Sequence, residues 1–118
     1  MLRTAVLADW PAVESLLRVE GLPIAGAHAH FASFLVAEFG RELVGSAGLE
    51  LYLPFALLRS VTVAPPARRR GLGRRIVEHA LRSARANRVQ AVYLLTTNAE
   101  AYFSRLDFKP LSRERVPL

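Results

Sequence analysis

The sequence predicts a mixed α/β fold in which a sheet of about six strands carries helices on both faces. Three observations support this prediction. Residues 34 to 63 read as successive strands, with alternating or continuous apolar residues. On either side of that block, apolar residues recur at the spacing of amphipathic helices. The whole order is then βα, three strands, α, β, α and β, which is typical of a layered sheet with helices packed on it.

The N-terminal part is predicted to be a short strand followed by a helix. Residues 2 to 6 favour the strand, and Asp9 is expected to be the N-cap of the helix. Gly21 stops that helix. Residues 22 to 33 have small side chains and weak periodicity, which predicts a loop or a short irregular helix suited to a substrate lid. The apolar residues of the helix share one face: Trp10, Val13, Leu16 and Leu17.

Three strands are predicted between Phe34 and Val63. The first, "FLVAEF", turns through Gly40 and Arg41 into "ELVGSAGLELYL", and Pro54 marks the turn into "FALLRSVTV". The third strand is nearly continuously apolar at its two ends, as expected of a strand covered on both sides. In the second strand, alternate side chains point to opposite faces. Leu49, Leu51 and Leu53 lie on one face, and Ser46, Gly48, Glu50 and Tyr52 lie on the other.

The C-terminal third is predicted to hold a long helix, a buried strand, a short helix and a last strand. The long helix begins near Leu72 and stops at Asn87, with apolar residues recurring at helical spacing. "AVYLLTT" is the buried strand, and Asn98 is positioned to cap the short helix "AEAYFSRL". "FKPLSRERV" is the last strand.

Length and composition bound the kind of protein. With 118 residues and no internal repeat, residues 1 to 118 are expected to form a single domain. No apolar run approaches the roughly 20 residues of a membrane span, and the N-terminus lacks a secretory pattern, so we expect a cytoplasmic protein without a membrane partner. The absence of cysteine excludes disulfides, thiolate metal sites and a cysteine nucleophile.

Charge indicates an anionic partner. The net charge is +6, and all but one of the 16 basic residues are arginine, the side chain suited to bidentate phosphate contacts. Nucleic acid, a membrane surface and phosphorylated small molecules all satisfy this pattern. Charge alone does not choose among them.

The stretch "VTVAPPARRRGLGRR", residues 61 to 75, favours a small phosphate ligand. A strand that runs through a glycine turn into a helix presents unpaired backbone N–H groups at the positive end of the helix dipole. Gly71 and Gly73 let backbone approach a phosphate closely. The spacing suits a pyrophosphate, yet it matches neither a Walker motif nor G-x-G-x-x-G, since position 76 is isoleucine.

The same stretch carries R-x-x-G-x-G, as Arg68, Gly71 and Gly73, after a V-x-V-x-P strand end. With this motif and its element order, the chain resembles the GCN5-related N-acetyltransferases (GNAT) over nearly its whole length. The resemblance implies the GNAT fold, a mostly antiparallel sheet, with its seventh strand missing. It implies acetyl-CoA as cosubstrate. The coenzyme-binding residues it implies are Val61, Thr62, Val63, Arg68, Arg69, Arg70, Gly71, Leu72, Gly73, Arg74, Asn98 and Phe103.

Within that site, the resemblance assigns the amides of Val61 and Val63 to the pantetheine arm and the acetyl group. It assigns the amides from Arg69 to Arg74 to the pyrophosphate, with Arg68 flanking it. The segment from Tyr93 to Leu111 is also similar to acetyltransferases of arsenic resistance and to the acetyltransferase domain of N-acetylglutamate synthases. Both likenesses imply an amino acid, or an amine like one, as acceptor.

The chain departs from the family pattern in two places. Many members have a tyrosine where this chain has Phe103, and the adjacent Tyr102 is turned by about 100° on a helix. Tyr102 is therefore a candidate catalytic acid whose position is in question. The chain also ends at Leu118, just after the predicted sixth strand. An exposed sheet edge there would be covered by a second copy, so we expect a homodimer.

Glu50 is the leading candidate for the general base, acting directly or through water, because Ser46 and Gly48 on its face leave room for a substrate. A salt-bridged strand glutamate is the alternative. Arg59, in a central strand, is predicted either to bind a substrate carboxylate or to pair with a nearby acid.

Other polar residues have weaker assignments. His28 is expected at the substrate, as a lid contact, or in an exposed loop pair with His30, and no metal is predicted because a third ligand group is missing. Tyr52 and Tyr102 are expected to contact substrate or thiolate, or to pack. Asn98 is a helix cap or lies near the pantetheine.

The sequence thus favours an N-acetyltransferase in which a small-molecule amine attacks acetyl-CoA directly in a ternary complex. A coenzyme-binding domain without catalysis is the first alternative. A nucleic-acid-binding module is less well supported, because its arginine stripe lacks interleaved aromatic residues and no nucleic-acid-binding motif is present.

Overall fold

A computed structural model describes residues 1–96 and 98–117. Within them, the eight main elements follow the predicted order up to the last helix. The strands are β1 (Leu2–Thr4), β2 (Phe34–Phe39), β3 (Glu42–Tyr52), β4 (Phe55–Val63) and β5 (Ala91–Tyr93). The helices are α1 (Trp10–Val19), α2 (Leu72–Ala86) and α3 (Glu100–Ser104), with short 3-10 helices at Leu7–Asp9, His28–Ser33, Pro65–Ala67 and Arg113–Arg115.

The sheet has five strands among the described residues, in the order β1-β2-β3-β4-β5. The first four are antiparallel neighbours and β5 is parallel to β4. The prediction of about six strands was one too high, because "FKPLSRERV" forms no strand. Pro110 lacks the N–H that a ladder needs, and the segment instead holds the short 3-10 helix at Arg113–Arg115.

The mixed sheet with helices on both faces is confirmed. Successive residues of β2 point to opposite faces, as the period of a strand requires. Leu35 joins a core with Leu49, Leu58 and the buried face of α2, where Ile76 and Val77 are buried. On the other face, Phe34 and Val36 pack with Val13, Leu17 and Phe31 of the α1 side. The two buried faces fix the register of the central strands.

A β-bulge interrupts the pairing of β3 with β4. Ser46 is opposite Thr62 and Gly48 is opposite Arg59, so Ser60 and Val61 share Ala47 as their opposite residue. Ser60 has a φ of 57°, and its carbonyl accepts a hydrogen bond of 2.7 Å from Ser46 Oγ. An extra residue of this kind disrupts the ladder locally and bends the strand.

Strand β5 pairs only with Phe55–Leu57, the first third of β4. Among the described residues, β4 from the bulge to Val63 has no strand neighbour on that side. The bulge and this short partner together open the sheet beside the end of β4. The opening lies next to the start of α2.

Of the two predicted helix caps, Asp9 has the predicted position but no hydrogen bond to the helix, and Asn98 is not the cap residue. Asp9 is the N-cap residue of α1 as predicted, but its carboxylate bonds Arg3 and the N–H of Val6 instead of the helix. The predicted cap at Asn98 is wrong: Ala99 is the N-cap residue of α3, and Thr96 Oγ accepts the hydrogen bond from the Ala99 N–H at 3.0 Å. The strand predicted over "AVYLLTT" is shorter and less buried than expected, because β5 ends at Tyr93, its residues are half-buried and residues 94–96 form no strand. Thr97, the last residue of that prediction, lies outside the described residues.

Across the part of the chain that the structure describes, no helix combines the length and apolar character needed to cross a membrane.

Candidate active site

A cleft of about 470 Å³ lies where the end of β4, the start of α2 and α3 converge. Ten of the twelve predicted coenzyme residues line it: Val61, Thr62, Val63, Arg68, Arg69, Gly71, Leu72, Gly73, Arg74 and Phe103. Arg70 and Asn98 are not among the lining residues. The structure therefore brings the motif residues of two elements into one concave surface.

The start of α2 gives this cleft its anion-binding character. Gly71 is the N-cap residue with a φ of 73°, a left-handed conformation that glycine adopts without strain. The first N–H groups of α2 have no partners within the helix, and the helix dipole places positive potential there. Arg69 and Arg74 on the walls add positive charge. The arrangement suits a pyrophosphate.

The wall contributed by α3 was largely missed from the sequence. Ala99, Tyr102, Arg105 and Leu106 line the cleft, and of these only Tyr102 had been singled out, as a candidate acid. Arg105 follows Tyr102 by three residues and Leu106 follows it by four, so all three lie near one face of a helical turn. That spacing, read from the sequence, could have identified Arg105 and Leu106 as neighbours of Tyr102. Arg74 Nη2 donates to the carbonyl of Arg105 at 3.1 Å and joins the two walls.

Tyr102 lies at the α2 end of the cleft. A Cβ atom placed on Gly73 would overlap its hydroxyl oxygen, so this glycine is required for the close approach. Burial raises the pKa of Tyr102, and the charges of Arg74 and Arg105 only partly oppose that effect. The hydroxyl is therefore protonated at neutral pH and able to donate a hydrogen bond into the cleft. Phe103 packs edge-on against it, with ring centroids 5.2 Å apart.

Arg68, predicted to flank the phosphates, is bound to protein groups. Its Nε donates to the Val63 carbonyl at 2.8 Å, and its Nη2 pairs with the carboxylate of Glu20 at the end of α1. The Glu20 partner was not foreseen, because the two residues are 48 positions apart.

A second polar cluster, the Glu50 cluster, consists of His30, Glu50, Tyr52 and Arg59. Arg59 Nη1 donates to Glu50 Oε2 at 2.6 Å, and the Tyr52 hydroxyl donates to Glu50 Oε1. His30 Nε2 lies 3.7 Å from Glu50 Oε1. The Glu50 side chain is only 11 % exposed. The face predicted to hold Glu50 and Tyr52 therefore does bring them together, and Arg59 joins them from β4. The room predicted over Ser46 and Gly48 is wrong, because a Cβ on Gly48 would overlap the Phe34 ring and Ser46 is fully buried.

The surroundings of Glu50 set its ionisation. Burial by itself raises the pKa of the Glu50 carboxyl, but the hydrogen bonds from Tyr52 and Arg59 and the nearby charges of His30 and Arg59 outweigh it. The net pKa is lowered from the ordinary value of 4.5. Glu50 is thus a carboxylate at neutral pH, with both oxygens already accepting hydrogen bonds.

Arg59 ties this cluster to the predicted lid. Besides Glu50, its Nη2 donates to the Pro23 carbonyl at 3.1 Å and its Nε donates to Ser60 Oγ at 3.1 Å. A Cβ on Gly26 would lie 3.0 Å from Arg59 Nη1, so the loop packs directly on the guanidinium. Of the two predictions for Arg59, the pair with an acid describes its contacts here. Binding of a substrate carboxylate stays a prediction.

The two histidines of the lid have different surroundings. His28 packs edge-on against Trp10, with ring centroids 5.1 Å apart, whereas His30 faces Glu50 and lies 5.9 Å from the ring of Tyr52. His30 is therefore the histidine that joins the polar cluster. Over residues 1–96 and 98–117, no three histidine or acidic side chains form a group that could hold a metal ion.

The sheet sets the spacing between the two parts of the site. The bulge lies opposite Ala47, and Glu50 follows it by three residues on β3. At about 3.3 Å per residue, the Glu50 backbone is about 10 Å along the strand from the bulge. This separation leaves room for a water molecule or a substrate group between the Glu50 carboxylate and the Val61 amide.

Comparisons with known proteins give one family. The model of the acetyltransferase (GNAT) family matches residues 3–108. An uncharacterized N-acetyltransferase of Chlorobaculum tepidum is 30% identical over 89 residues, which cover 75% of this chain and 57% of that protein. The chain thus spans little more than half the length of this curated relative.

Solved structures show the same fold. N-acetylglutamate synthase from Neisseria gonorrhoeae, complexed with coenzyme A and L-arginine, superposes with a TM-score of 0.90 at 24% identity and covers 100% of this chain and 29% of that one. Rv2747 from Mycobacterium tuberculosis, in complex with CoA and NLQ, superposes with a TM-score of 0.80 at 26% identity. That match covers 97% of this chain and 77% of the other.

Proposed function

Because this chain belongs to the acetyltransferase (GNAT) family, we propose that it transfers the acetyl group of acetyl-CoA to the amine of a small molecule. We further propose an amino acid, or an amine like one, as that acceptor. The family expected from R-x-x-G-x-G and the element order is confirmed. Membership of this family supports the proposed acyltransferase activity. Coenzyme A in the Rv2747 structure agrees with acetyl-CoA as cosubstrate.

The observation that carries the proposal is the cleft between β4, α2 and α3. The predicted pyrophosphate residues Arg69, Gly71 and Gly73 line the same cavity as Val61 and Val63, which are expected to bind the pantetheine arm. A candidate phosphate site beside an apolar cleft wall and a strand bulge suits a long, phosphorylated thioester. A nucleic-acid backbone would not need the apolar wall.

The proposed chemistry is direct attack of a neutral amine on the thioester carbonyl. The new bond joins the amine nitrogen to the carbonyl carbon, and the tetrahedral oxyanion collapses with loss of the coenzyme A thiolate. The amine proton passes to a base and the thiolate is protonated. A backbone N–H of Val61 at the bulge, or of Val63 two residues beyond it, would stabilise the oxyanion, a contribution of about 3 kcal/mol where such donors are removed in other enzymes.

Glu50 is the proposed base, and its geometry favours action through water. It is ionised, lies on the lid side of the sheet and is about 10 Å along β3 from the bulge. Tyr102 is the weaker of the two proposed catalytic side chains. Its hydroxyl lies against Gly73 at the start of α2, which supports a contact with the coenzyme more than a role as acid.

The proposed acceptor site lies under the lid, where Arg59, Tyr52 and His30 surround Glu50. Arg59 and Tyr52 were predicted at the substrate, and His30 takes the place expected of His28. A cationic guanidinium beside a carboxylate can recognise the two charges of an amino acid. The likeness to N-acetylglutamate synthase supports the same class of acceptor.

A coenzyme-binding domain without catalysis is the alternative that one observation favours. Both oxygens of Glu50 are engaged by Arg59 and Tyr52, and its pKa is lowered, which makes it a weaker base. A homodimer, a single domain over residues 1 to 118 and a cytoplasmic location also stay proposals. Light scattering at micromolar concentration tests the homodimer.

Two measurements test the function. Acetyl-CoA at 100 times its Kd should stabilise the protein by about 2.7 kcal/mol, seen as a raised Tm, whereas duplex DNA should not. Release of free thiol from acetyl-CoA is then followed with a panel of amino acids and simple amines. Thiol release that depends on an amino acid supports the enzyme. Binding of acetyl-CoA without acceptor-dependent thiol release supports the binding domain.

A further inference from the structure

The ion pair between Glu20 and Arg68 connects two parts of the chain that meet the cleft and the lid. Glu20 directly follows α1 and precedes the lid, and its side chain is 24% exposed. Arg68 directly follows the 3-10 helix at Pro65–Ala67 and precedes the glycine turn. The pair therefore joins the end of α1 to the middle of the coenzyme loop, residues 64 to 71.

Arg68 also holds the strand end. Its Nε donates to the Val63 carbonyl at 2.8 Å, while the N–H of Ala67 bonds the Ala64 carbonyl at 2.9 Å. The N–H of Ala64 in turn bonds the Val44 carbonyl at 2.7 Å, which ties the loop to β3. One guanidinium thus braces the loop against both the sheet and α1.

From these contacts we propose that Arg68 is a positioning residue and Glu20 its anchor: together they hold the coenzyme loop in the shape that binds the pyrophosphate. The charge of Arg68 is paired with the partly buried Glu20 carboxylate, whereas Arg69 lies on the cleft wall and Arg74 has, among the described residues, only the exposed Glu78 carboxylate as an acidic partner, 3.8 Å away. This inference rests on the coenzyme-binding part of the proposed function. It replaces the expectation that Arg68 flanks the phosphates.

The two possible roles of Arg68 predict opposite changes in CoA affinity when the charge of Glu20 is removed. If Arg68 were a phosphate ligand, removal of the Glu20 charge would free the guanidinium and reduce repulsion of the anionic coenzyme, so binding would tighten. If the pair braces the loop, the same change loosens the loop and weakens binding. Whether Glu20→Gln tightens or weakens CoA binding therefore distinguishes a phosphate ligand from a positioning residue.

The test is calorimetric titration of CoA into wild type, Glu20→Gln, Arg68→Gln and the double variant. Each single variant is expected to weaken CoA binding about two- to fivefold, as the loss of a partly exposed ion pair allows. The double variant should be no weaker than Arg68→Gln. With acetyl-CoA, the KM should rise while kcat at saturation stays near the wild-type value.

The matched control is Glu14→Gln, which removes the same charge from α1 at an exposed pair with Arg18. It should leave CoA affinity unchanged, and Tm values of all variants show whether they are folded. Unchanged or tighter binding by Glu20→Gln, or additive losses in the double variant, would overturn the proposal. If wild type itself bound no CoA, the proposed function would fail instead, which keeps the two failures distinct.

Discussion

Arg59 and Glu50, from adjacent strands, form an ion pair of 2.6 Å in which neither side chain is more than 14% exposed. Gly48 is the residue opposite Arg59, so the guanidinium reaches two residues along β3 to meet the carboxylate. The lid packs on the pair through the Pro23 carbonyl. Substitutions at either residue therefore test catalysis, recognition and lid packing together, and the readouts must separate them.

Glu50→Gln keeps the shape of the side chain and removes its charge. If Glu50 is the base, kcat should fall about a hundredfold or more, because a positioned base contributes at least that much. Affinity for acetyl-CoA should stay the same, as measured by calorimetry. Turnover near the wild-type level at saturating substrates would remove Glu50 from the mechanism and leave it the role of a partner for Arg59.

Arg59→Ala removes the candidate for the acceptor carboxylate. We expect the KM of an amino-acid acceptor to rise about tenfold or more, as loss of a charge-assisted hydrogen bond predicts. Amines without a carboxylate should be affected much less. Arg59→Ala leaves the buried Glu50 carboxylate without its ion-pair partner, so Arg59→Lys serves as the milder variant. Arg82→Ala, at an exposed position on α2, is the control. A change confined to Tm would assign Arg59 to the ion pair alone.

The Glu50 cluster predicts a stability change in acid. The folded-state pKa of Glu50 is lowered relative to its ordinary value of 4.5, so its ionised form stabilises the fold fully above that pH. The contribution is lost as pH falls through the lower, folded-state pKa. In urea titrations between pH 7 and pH 3, wild type should lose more free energy of unfolding than Glu50→Gln. Equal losses would show that the pair does not stabilise the fold.

Gly73→Ala tests the contact with Tyr102. The added methyl group would overlap the tyrosine hydroxyl, so the Tyr102 side chain or the helix start must shift, and CoA binding should weaken because both line the cleft. Tyr102→Phe removes the overlapping oxygen, so the double variant should recover part of the lost affinity. Gly71→Ala is not an equivalent control, since its φ of 73° adds backbone strain. No loss of affinity in Gly73→Ala would show that the close approach is not required.

Much of the architecture was predictable because it follows local periodicity. The helices α1 and α2 end within a residue or two of Gly21 and Asn87, and the three central strands lie where their apolar patterns and turn residues predicted them. The sixth strand failed because Pro110 and a charged, weakly apolar segment give a strand little to bury. The Asn98 cap failed because α3 begins one residue later than expected, with Ala99 as the N-cap residue and no side-chain cap hydrogen bond.

The sequence by itself determined where the candidate phosphate site lies: strand, prolines, arginines and glycines are contiguous at the end of β4, so their order alone predicts such a site. Only the tertiary structure decided which charges are paired. Arg59 meets Glu50 across two strands, and Arg68 meets Glu20 from 48 residues away. Such partners depend on how helices and strands pack, which periodicity does not specify, whereas a contiguous turn is specified by its own backbone.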